Sequence, residues 1–167
     1  MVRLDQLVAR LGGRLELASH EAPDVTHVHL DSRAATAGSL FAALPGYTFD
    51  GAEFAGQALL RGAVAVLAPR RLELDGDVPC WVHEDARRIV GEAASIVYGE
   101  PSQQLEAFAV TGTNGKTTVA SLVGQLLRHC GRRPAILGTV DYRVAGDDPI
   151  PASHTTPMSP VLQRLLL

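Results

Sequence analysis

The sequence predicts an α/β fold in two parts, a small first domain and the start of a second domain built on a parallel sheet. Short apolar runs alternate with amphipathic helical patterns along most of the 167 residues. Strands and helices that alternate in this way build parallel sheets. The segment EPSQQ at 100–104 interrupts the pattern with Pro, Ser and Gln, so we interpret it as a linker between domains at 1–99 and 105–167.

In the first domain, four apolar runs are expected to form strands and two amphipathic segments are expected to form helices. Asp85 is the expected N-cap of the second helix, and Trp81 is most simply a core residue. The DGD sequence at 75–77 predicts a hairpin turn. The predicted strands cover 25–30, 39–44, 63–68 and 79–84, and the predicted helices cover 51–62 and 85–99.

The second domain begins with a strand, a glycine loop, a helix and another strand. The apolar run at 105–110 leads directly into TGTNGKTT at 111–118. A strand at 134–140 completes a βαβ unit, and SPVLQRLLL predicts the first turns of a further helix. The helix after the loop carries its apolar residues on one face; these are Val119, Leu122, Val123, Leu126 and Leu127.

Charge and composition exclude several classes of function. The net charge is −3 and no basic run stands out, which argues against binding to nucleic acid or an anionic membrane. No apolar run approaches the roughly 20 residues of a membrane span, and the N-terminal segment lacks a signal peptide's apolar core. We therefore expect a cytoplasmic protein. We also expect it to be a monomer. Cys80 and Cys130 have no metal-ligand spacing and are expected to be buried free thiols.

Lys116 is the only lysine among the 15 basic residues, and it follows a glycine at the junction of strand and helix. A loop of this kind directs backbone N–H groups at phosphate oxygens, and the helix N-terminus adds partial positive charge. Lys116 would place a compact ammonium against the β- and γ-phosphates, and the Thr117 hydroxyl would ligate Mg²⁺. Arginine is a poor substitute because its planar fork does not fit such a loop. The sequence therefore predicts a site for ATP and Mg²⁺.

Other candidate ligands have simpler explanations. Asp141 follows a predicted strand, where an acid could bind Mg²⁺, but a turn-forming aspartate is the favoured interpretation. His27 and His29 alternate along one strand without a third ligand nearby, so we expect an exposed strand face rather than a metal site.

Three stretches resemble the Mur ligase family. The generic phosphate loop would have its first glycine at Val110. The shorter form TGTNGKTT instead resembles the ATP loop of the Mur ligases and of folylpolyglutamate synthase, which join a carboxylate to an amine using ATP. The stretch LDSRAATAGSLFAALPGYTFDGAEFAGQALLRGAVAVLA at 30–68 resembles the UDP-binding first domain of the Mur ligases, which folylpolyglutamate synthase should lack. GTVDYR…ASHTTP at 138–157 resembles a family segment in which two threonines contact the substrate.

The resemblance implies an ATP-dependent ligase of peptidoglycan precursor synthesis. Its substrates would be UDP-N-acetylmuramoyl-L-alanyl-D-glutamate and a third amino acid, either meso-diaminopimelate or L-lysine. ATP would phosphorylate the D-glutamyl carboxylate, and the amine of the amino acid would attack the acyl phosphate to form the amide.

The resemblance also implies roles for individual residues. Lys116 would be catalytic, and Thr117 would be the metal ligand. Arg33 could pair with the substrate diphosphate or with Asp31, and we favour Asp31. The ATP-binding residues would be Gly112, Thr113, Asn114, Gly115, Lys116, Thr117 and Thr118. The substrate-binding residues would be Leu30, Ser32, Tyr47, Thr48, Phe49, His154, Thr155 and Thr156.

The family pattern extends beyond these residues. With Lys116 assigned to phosphate, no second lysine remains for the carbamylated, Mg²⁺-supporting role that the resemblance implies. We therefore expect the N-terminal third of a longer enzyme, inactive by itself. The alternatives are a non-catalytic UDP-sugar-binding module with a vestigial nucleotide loop and, ranked lower, a ligase similar to folylpolyglutamate synthase.

Overall fold

The computed structural model describes residues 1–17, 21–144, 148–152 and 156–167. They form two compact units, Met1–Pro101 and Ser102–Leu167. The boundary between the units lies inside the segment 100–104. The mixed α/β fold with a parallel sheet is as predicted, and no helix of the described ranges is long and apolar enough to cross a membrane.

The first unit is built on a five-stranded sheet of order β2-β7-β6-β5-β4. Strands β4 to β7 are parallel, and β2 is antiparallel to β7. The carboxyl ends of four parallel strands therefore meet at one edge. The elements are β1 (Val2–Arg3), α1 (Leu4–Leu11), β2 (Arg14–Glu16), β3 (Asp24–Val25), β4 (His27–His29), β5 (Ser39–Ala42), α2 (Ala55–Leu60), β6 (Ala63–Ala68), β7 (Cys80–Val82) and α3 (Ala86–Val97), with 3₁₀ turns at Ser32–Ala34 and Gly51–Phe54.

Both faces of this sheet are buried against helices. Leu40 lies in one apolar cluster with residues of α1 and α3, whereas the next residue, Phe41, lies in a second cluster with residues of α2. This alternation follows from the two-residue period of a strand. Trp81 is fully buried, as predicted, and its indole N–H donates to the Gly12 carbonyl at 2.9 Å.

Several predicted boundaries in the first unit are wrong. The strand expected at 25–30 divides into β3 and β4. The division falls at Thr26, whose N–H donates a hydrogen bond to the Gly38 carbonyl. No hairpin forms at 75–77, since β6 and β7 are parallel and need a longer connection. His29 is buried rather than exposed, because α3 packs against β4 and Tyr98 contacts the neighbouring His27 ring.

The cysteine and helix predictions are partly confirmed. Cys80 is a buried free thiol, and burial raises its pKa, whereas Cys130 is exposed. The helix expected at 85–99 is α3, and Asp85 is its N-cap residue but makes no capping bond through its side chain.

The second unit has a different architecture from the predicted βαβ unit. Residues 105–110 are exposed and form no strand, and no strand of the described residues pairs with them. The strand expected at 134–140 is shortened to two residues that pair antiparallel with the next strand, a local pairing with a small loop-closure cost. The elements are α4 (Lys116–His129), β8 (Ile136–Leu137), β9 (Asp141–Arg143), β10 (Ile150–Pro151) and α5 (Ser159–Leu165), and the sheet order is β10-β9-β8.

The helix α4 forms as predicted but packs through an unexpected face. Gly124 is its one buried residue, and a Cβ there would lie 2.4 Å from Ile136 Cδ1 in β8. The predicted apolar face, by contrast, is largely open to solvent, with Leu122 and Leu126 59% and 64% exposed. The small residues of α4 therefore make its contact with the sheet.

Candidate functional site

The glycine loop lies at the start of α4, where the sequence places it. Gly112 and Gly115 have φ values of +143° and +79°, a backbone conformation that favours glycine. Gly115 is the N-cap of α4, and Lys116 is its first residue. The loop therefore turns the chain so that the first N–H groups of α4 are free to bind an anion.

Lys116 lies over the backbone of this loop. Its Nζ donates to the carbonyl oxygens of Gly112 at 2.5 Å and Thr113 at 3.3 Å. The single lysine ammonium of the chain is thus held beside the loop by carbonyl groups rather than by a carboxylate. A phosphate bound at the loop would lie close to both the Lys116 ammonium and the N–H groups at the start of α4.

A shallow pocket adjoins the loop between α4 and the β8–β9 hairpin. Thr117 borders this pocket and is itself exposed. Asp141 is held by two bonds of 2.9 Å from Arg143, and its carbonyl accepts the Gly138 N–H at 3.2 Å. Asp141 therefore closes the hairpin, which agrees with its interpretation as a turn residue. The lining residues are Thr117, Ala120, Ser121, Ile136, Gly138, Val140, Asp141 and Arg143.

The described residues contain no group of three His, Cys, Asp or Glu side chains that could hold a metal ion. A Mg²⁺ ion at the glycine loop would therefore need phosphate oxygens in addition to its protein ligands. The exposed Thr117 hydroxyl oxygen is a suitable metal ligand, because hard cations such as Mg²⁺ prefer oxygen ligands.

A second group of candidate residues follows β4 at the carboxyl edge of the first sheet. Ser32 is buried, and its hydroxyl donates to Gln57 Oε1 at 2.5 Å. Arg33 makes a bidentate pair with Asp31, at 3.0 and 2.8 Å, and these bonds hold the pKa of that carboxyl below its usual range. The structural pairing of Arg33 is therefore confirmed. Leu30 is half-buried at the end of the same strand.

Tyr47, Thr48 and Phe49 lie at the tip of a tight loop after β5. The Gly46 N–H donates to the Phe49 carbonyl at 2.9 Å and closes the turn. All three tip residues are exposed, and the Phe49 ring contacts the edge of Phe54 at a centroid distance of 6.2 Å. Because β4 and β5 are adjacent and parallel, this loop and Ser32 lie at the same edge of the sheet.

The third predicted group, His154, Thr155 and Thr156, is only partly described. His154 and Thr155 lie outside the described residues, and Thr156 is exposed. Sequence reasoning also missed three polar contacts of the first unit. These are the Gln57 partner of Ser32, the Arg70 partner of Asp50, and the bond from Arg87 to the Pro45 carbonyl. No sequence signal marks them, since each contact joins segments at least 20 residues apart.

The fold and the glycine loop together define an α/β protein in which a glycine loop leads into the N-terminus of a helix, an arrangement that often binds phosphate in other proteins. Two family models match the chain, the Mur ligase family catalytic domain over 24–114 and the Mur ligase middle domain over 110–167. The chain therefore belongs to the Mur ligase family.

The most similar proteins include bacterial enzymes that share one name, UDP-N-acetylmuramoyl-L-alanyl-D-glutamate--2,6-diaminopimelate ligase. The protein from Geobacillus kaustophilus is 44% identical over 142 residues, covering 85% of this chain and 28% of the relative. The protein from Halalkalibacterium halodurans is 42% identical over 165 residues, covering 98% and 33%. A solved structure of a ligase of this name aligns with 99% of this chain at a TM-score of 0.70 and 28% identity, covering 32% of its own chain. The chain thus spans about a third of the length of the relatives it matches.

Proposed function

We propose that this chain is the substrate- and ATP-binding part of a ligase that adds the third amino acid to UDP-N-acetylmuramoyl-L-alanyl-D-glutamate. The observation that carries the proposal is the glycine loop with Lys116 at the start of α4, in a chain that the Mur ligase catalytic and middle domain models match. The names of the relatives favour 2,6-diaminopimelate over lysine as the added amino acid.

The second unit would hold the triphosphate of ATP. Residues Gly112 to Thr118 supply N–H groups, the Lys116 ammonium and the hydroxyl of Thr117. Mg²⁺, when bound, would neutralise phosphate charge, and Thr117 is the residue that would hold it. Lys116 would move from its two carbonyl partners to the phosphates and stabilise charge on the transferred phosphoryl group.

The first unit would hold the UDP end of the other substrate. Ser32 is fixed by Gln57, and Tyr47 and Phe49 present aromatic rings to solvent at the same edge of the sheet. Leu30 and Thr48 would complete this site. The ligase would work as a monomer in the cytoplasm, where ATP is available.

Separate titrations of the two ligands test the proposal. Lys116→Arg should weaken ATP binding nearly as much as Lys116→Ala, because a guanidinium does not fit the loop. A hydrogen bond to a charged group contributes about 1.5–3 kcal/mol. Ser32→Ala should weaken binding of the UDP-muramoyl-dipeptide instead, by about 0.5–1.5 kcal/mol, and leave ATP binding unchanged.

Calorimetry with each ligand alone gives both affinities. In the complete ligase, steady-state phosphate release should fall about 10²- to 10³-fold for both Lys116 variants. Normal turnover in the Lys116→Arg enzyme would refute the role of Lys116. Binding of the UDP ligand without any ATP binding would favour the non-catalytic module.

A further inference from the structure

The loop at 45–50, which carries the exposed Tyr47, Thr48 and Phe49, is closed at its base by backbone contacts. Pro45 and Asp50 pair as an isolated antiparallel bridge, and the Gly51 N–H donates to the Leu44 carbonyl at 3.0 Å. A Cβ at Gly51 would lie 2.6 Å from that carbonyl oxygen. The two ends of the loop are therefore held at a fixed separation.

Two arginines from distant parts of the first unit hold these same two ends. Arg87, in the first turn of α3, donates through Nη2 to the Pro45 carbonyl oxygen. Arg70, two residues after β6, pairs with Asp50 Oδ2 at 3.0 Å. The other carboxylate oxygen of Asp50 accepts the Ala52 N–H at 3.0 Å. The loop is thus tied to α3 at one end and to the segment after β6 at the other.

The tip of the loop keeps its aromatic side chains in water. Phe49 is 63% exposed and Tyr47 is fully exposed. Exposed rings on a fixed backbone can stack on a flat base without a large ordering cost, because the conformation is set before binding. The contacts of Arg87 with Pro45 and of Arg70 with Asp50, here called the anchors, therefore bear on ligand affinity as well as on folding.

We propose that Arg87 and Arg70 are positioning residues for the UDP end of the substrate. They act through Pro45 and Asp50, holding the 45–50 loop in the conformation that receives the ligand. This inference rests on the proposed function of that loop.

Adjacent arginines provide matched controls. Arg88 pairs with Glu92 at 2.9 Å on the same helix, and Arg71 pairs with Glu16 at 3.1 Å. Arg87→Ala should weaken binding of UDP-N-acetylmuramoyl-L-alanyl-D-glutamate about two- to fivefold, the range for an exposed charged contact. Arg88→Ala should leave it unchanged.

Further variants separate positioning from general stability. Arg87→Lys should recover part of the lost affinity, because lysine can still donate one hydrogen bond to a carbonyl. Arg70→Ala should weaken binding less than Arg87→Ala, because Asp50 keeps the hydrogen bond from the Ala52 N–H, and Arg71→Ala is the control. ATP affinity and the melting temperature should match those of the control variants.

Amide hydrogen exchange at Gly46 and Gly51 tests the anchors without any ligand. Both amides should exchange faster in Arg87→Ala than in Arg88→Ala. Equal exchange and equal affinity in these two variants would overturn the inference. If the parent chain does not bind the UDP ligand, the proposed function of the loop fails, and the substrate role of the arginines is overturned with it. Exchange would then still show whether they anchor the loop.

Discussion

The two units of this chain bury apolar surface to very different degrees. The first unit covers both faces of its sheet, and almost all of the largest fully buried side chains of the described residues belong to it. Tyr142 is the exception in the second unit. There, Phe108, Leu122 and Leu126 are 73%, 59% and 64% exposed.

This difference shows what each unit can do by itself. Burial of apolar side chains is the dominant favourable term in folding, so the first unit has its own source of stability. The second unit holds its glycine loop in place through backbone geometry, two hydrogen bonds from Lys116 and the packing of α4 against β8. The glycine loop can thus be formed locally, whereas the apolar face of α4 remains without a partner among the described residues.

The largest expected difference between the units is in amide hydrogen exchange. Amides of β6 should exchange only through global unfolding of the first unit, whereas those of β8 and β9 should exchange through local opening. We expect protection factors in β6 to be about a hundredfold or more above those at 136–143, which corresponds to a difference of about 2.7 kcal/mol. Exchange followed by NMR measures both. Uniform protection through α5 would show that the second unit is as firmly packed as the first.

Matched leucine substitutions should reproduce the contrast in stability. Leu40 is fully buried between strands and helices, and Leu126 is 64% exposed on α4. Leu40→Ala should lower the free energy of unfolding by about 2–5 kcal/mol, from lost burial and the cavity left behind. Leu126→Ala should change it by less than about 0.5 kcal/mol.

Urea unfolding followed by Trp81 fluorescence and by circular dichroism gives these values. A loss above about 1 kcal/mol for Leu126→Ala would mean that another surface covers the apolar face of α4 in solution. Repeating the measurement over a range of protein concentrations would show whether a second copy is responsible.

The same contrast separates what the sequence predicts from what it does not. The strand β6, the helix α3 and the position of Trp81 follow from hydrophobic periodicity, because in the first unit that periodicity matches the actual burial. In the second unit the periodicity of α4 gives the helix correctly but the wrong packing face. Gly124, which makes the contact with β8, carries no hydrophobic signal.

The candidate site shows a similar division. The positions of the glycine loop and of Lys116 can be predicted from the sequence, because a short motif encodes their local geometry. The pairing of Arg33 with Asp31 was also expected, since the two residues are close in sequence. The anchors Arg70 and Arg87 were not, because their partners are set by the packing of β6 and α3 rather than by local sequence.

Two helical glycines give a smaller test of packing in each unit. Gly56 in α2 has nothing within 4 Å of the position that a Cβ would take, so Gly56→Ala should stabilise the first unit by about 0.5–1 kcal/mol. Gly124→Ala would place Cβ 2.4 Å from Ile136 Cδ1. The Ile136 side chain must shift to make room, so Gly124→Ala should fall short of the stabilisation by Gly56→Ala by about 1 kcal/mol.

Thermal unfolding of the two variants compares these effects. Circular dichroism at 222 nm follows the helices, and exchange at β8 reports on the α4 contact directly. If Gly124→Ala were as stabilising as Gly56→Ala, α4 would not be packed against Ile136.

The smallest expected effect concerns two aspartate–arginine pairs with the same spacing, one in each unit. In the first unit, the hydrogen bond from Arg33 lowers the pKa of Asp31 below its ordinary value of 3.8. The pKa of Asp31 is lower in the folded state than in the unfolded state. The pair therefore stabilises the folded state fully at pH values above the unfolded pKa, and this contribution is lost as the pH falls through the folded pKa. Arg33→Gln should therefore lower stability at pH 7 by less than about 1 kcal/mol, since the pair is exposed. This deficit should shrink below pH 3.8.

The corresponding pair in the second unit, Asp141 and Arg143, serves as the control. Arg143 also makes a bidentate bond to its aspartate, but the contact belongs to the β8–β9 hairpin. Urea unfolding followed by Trp81 fluorescence reports on the first unit, so Arg143→Gln should leave the observed transition unchanged from pH 3 to pH 7, whereas Arg33→Gln should shift it more at pH 7 than at pH 3. A shift of equal size in both variants would show that the two units unfold as one, because a change in the second unit would then be felt by a tryptophan in the core of the first.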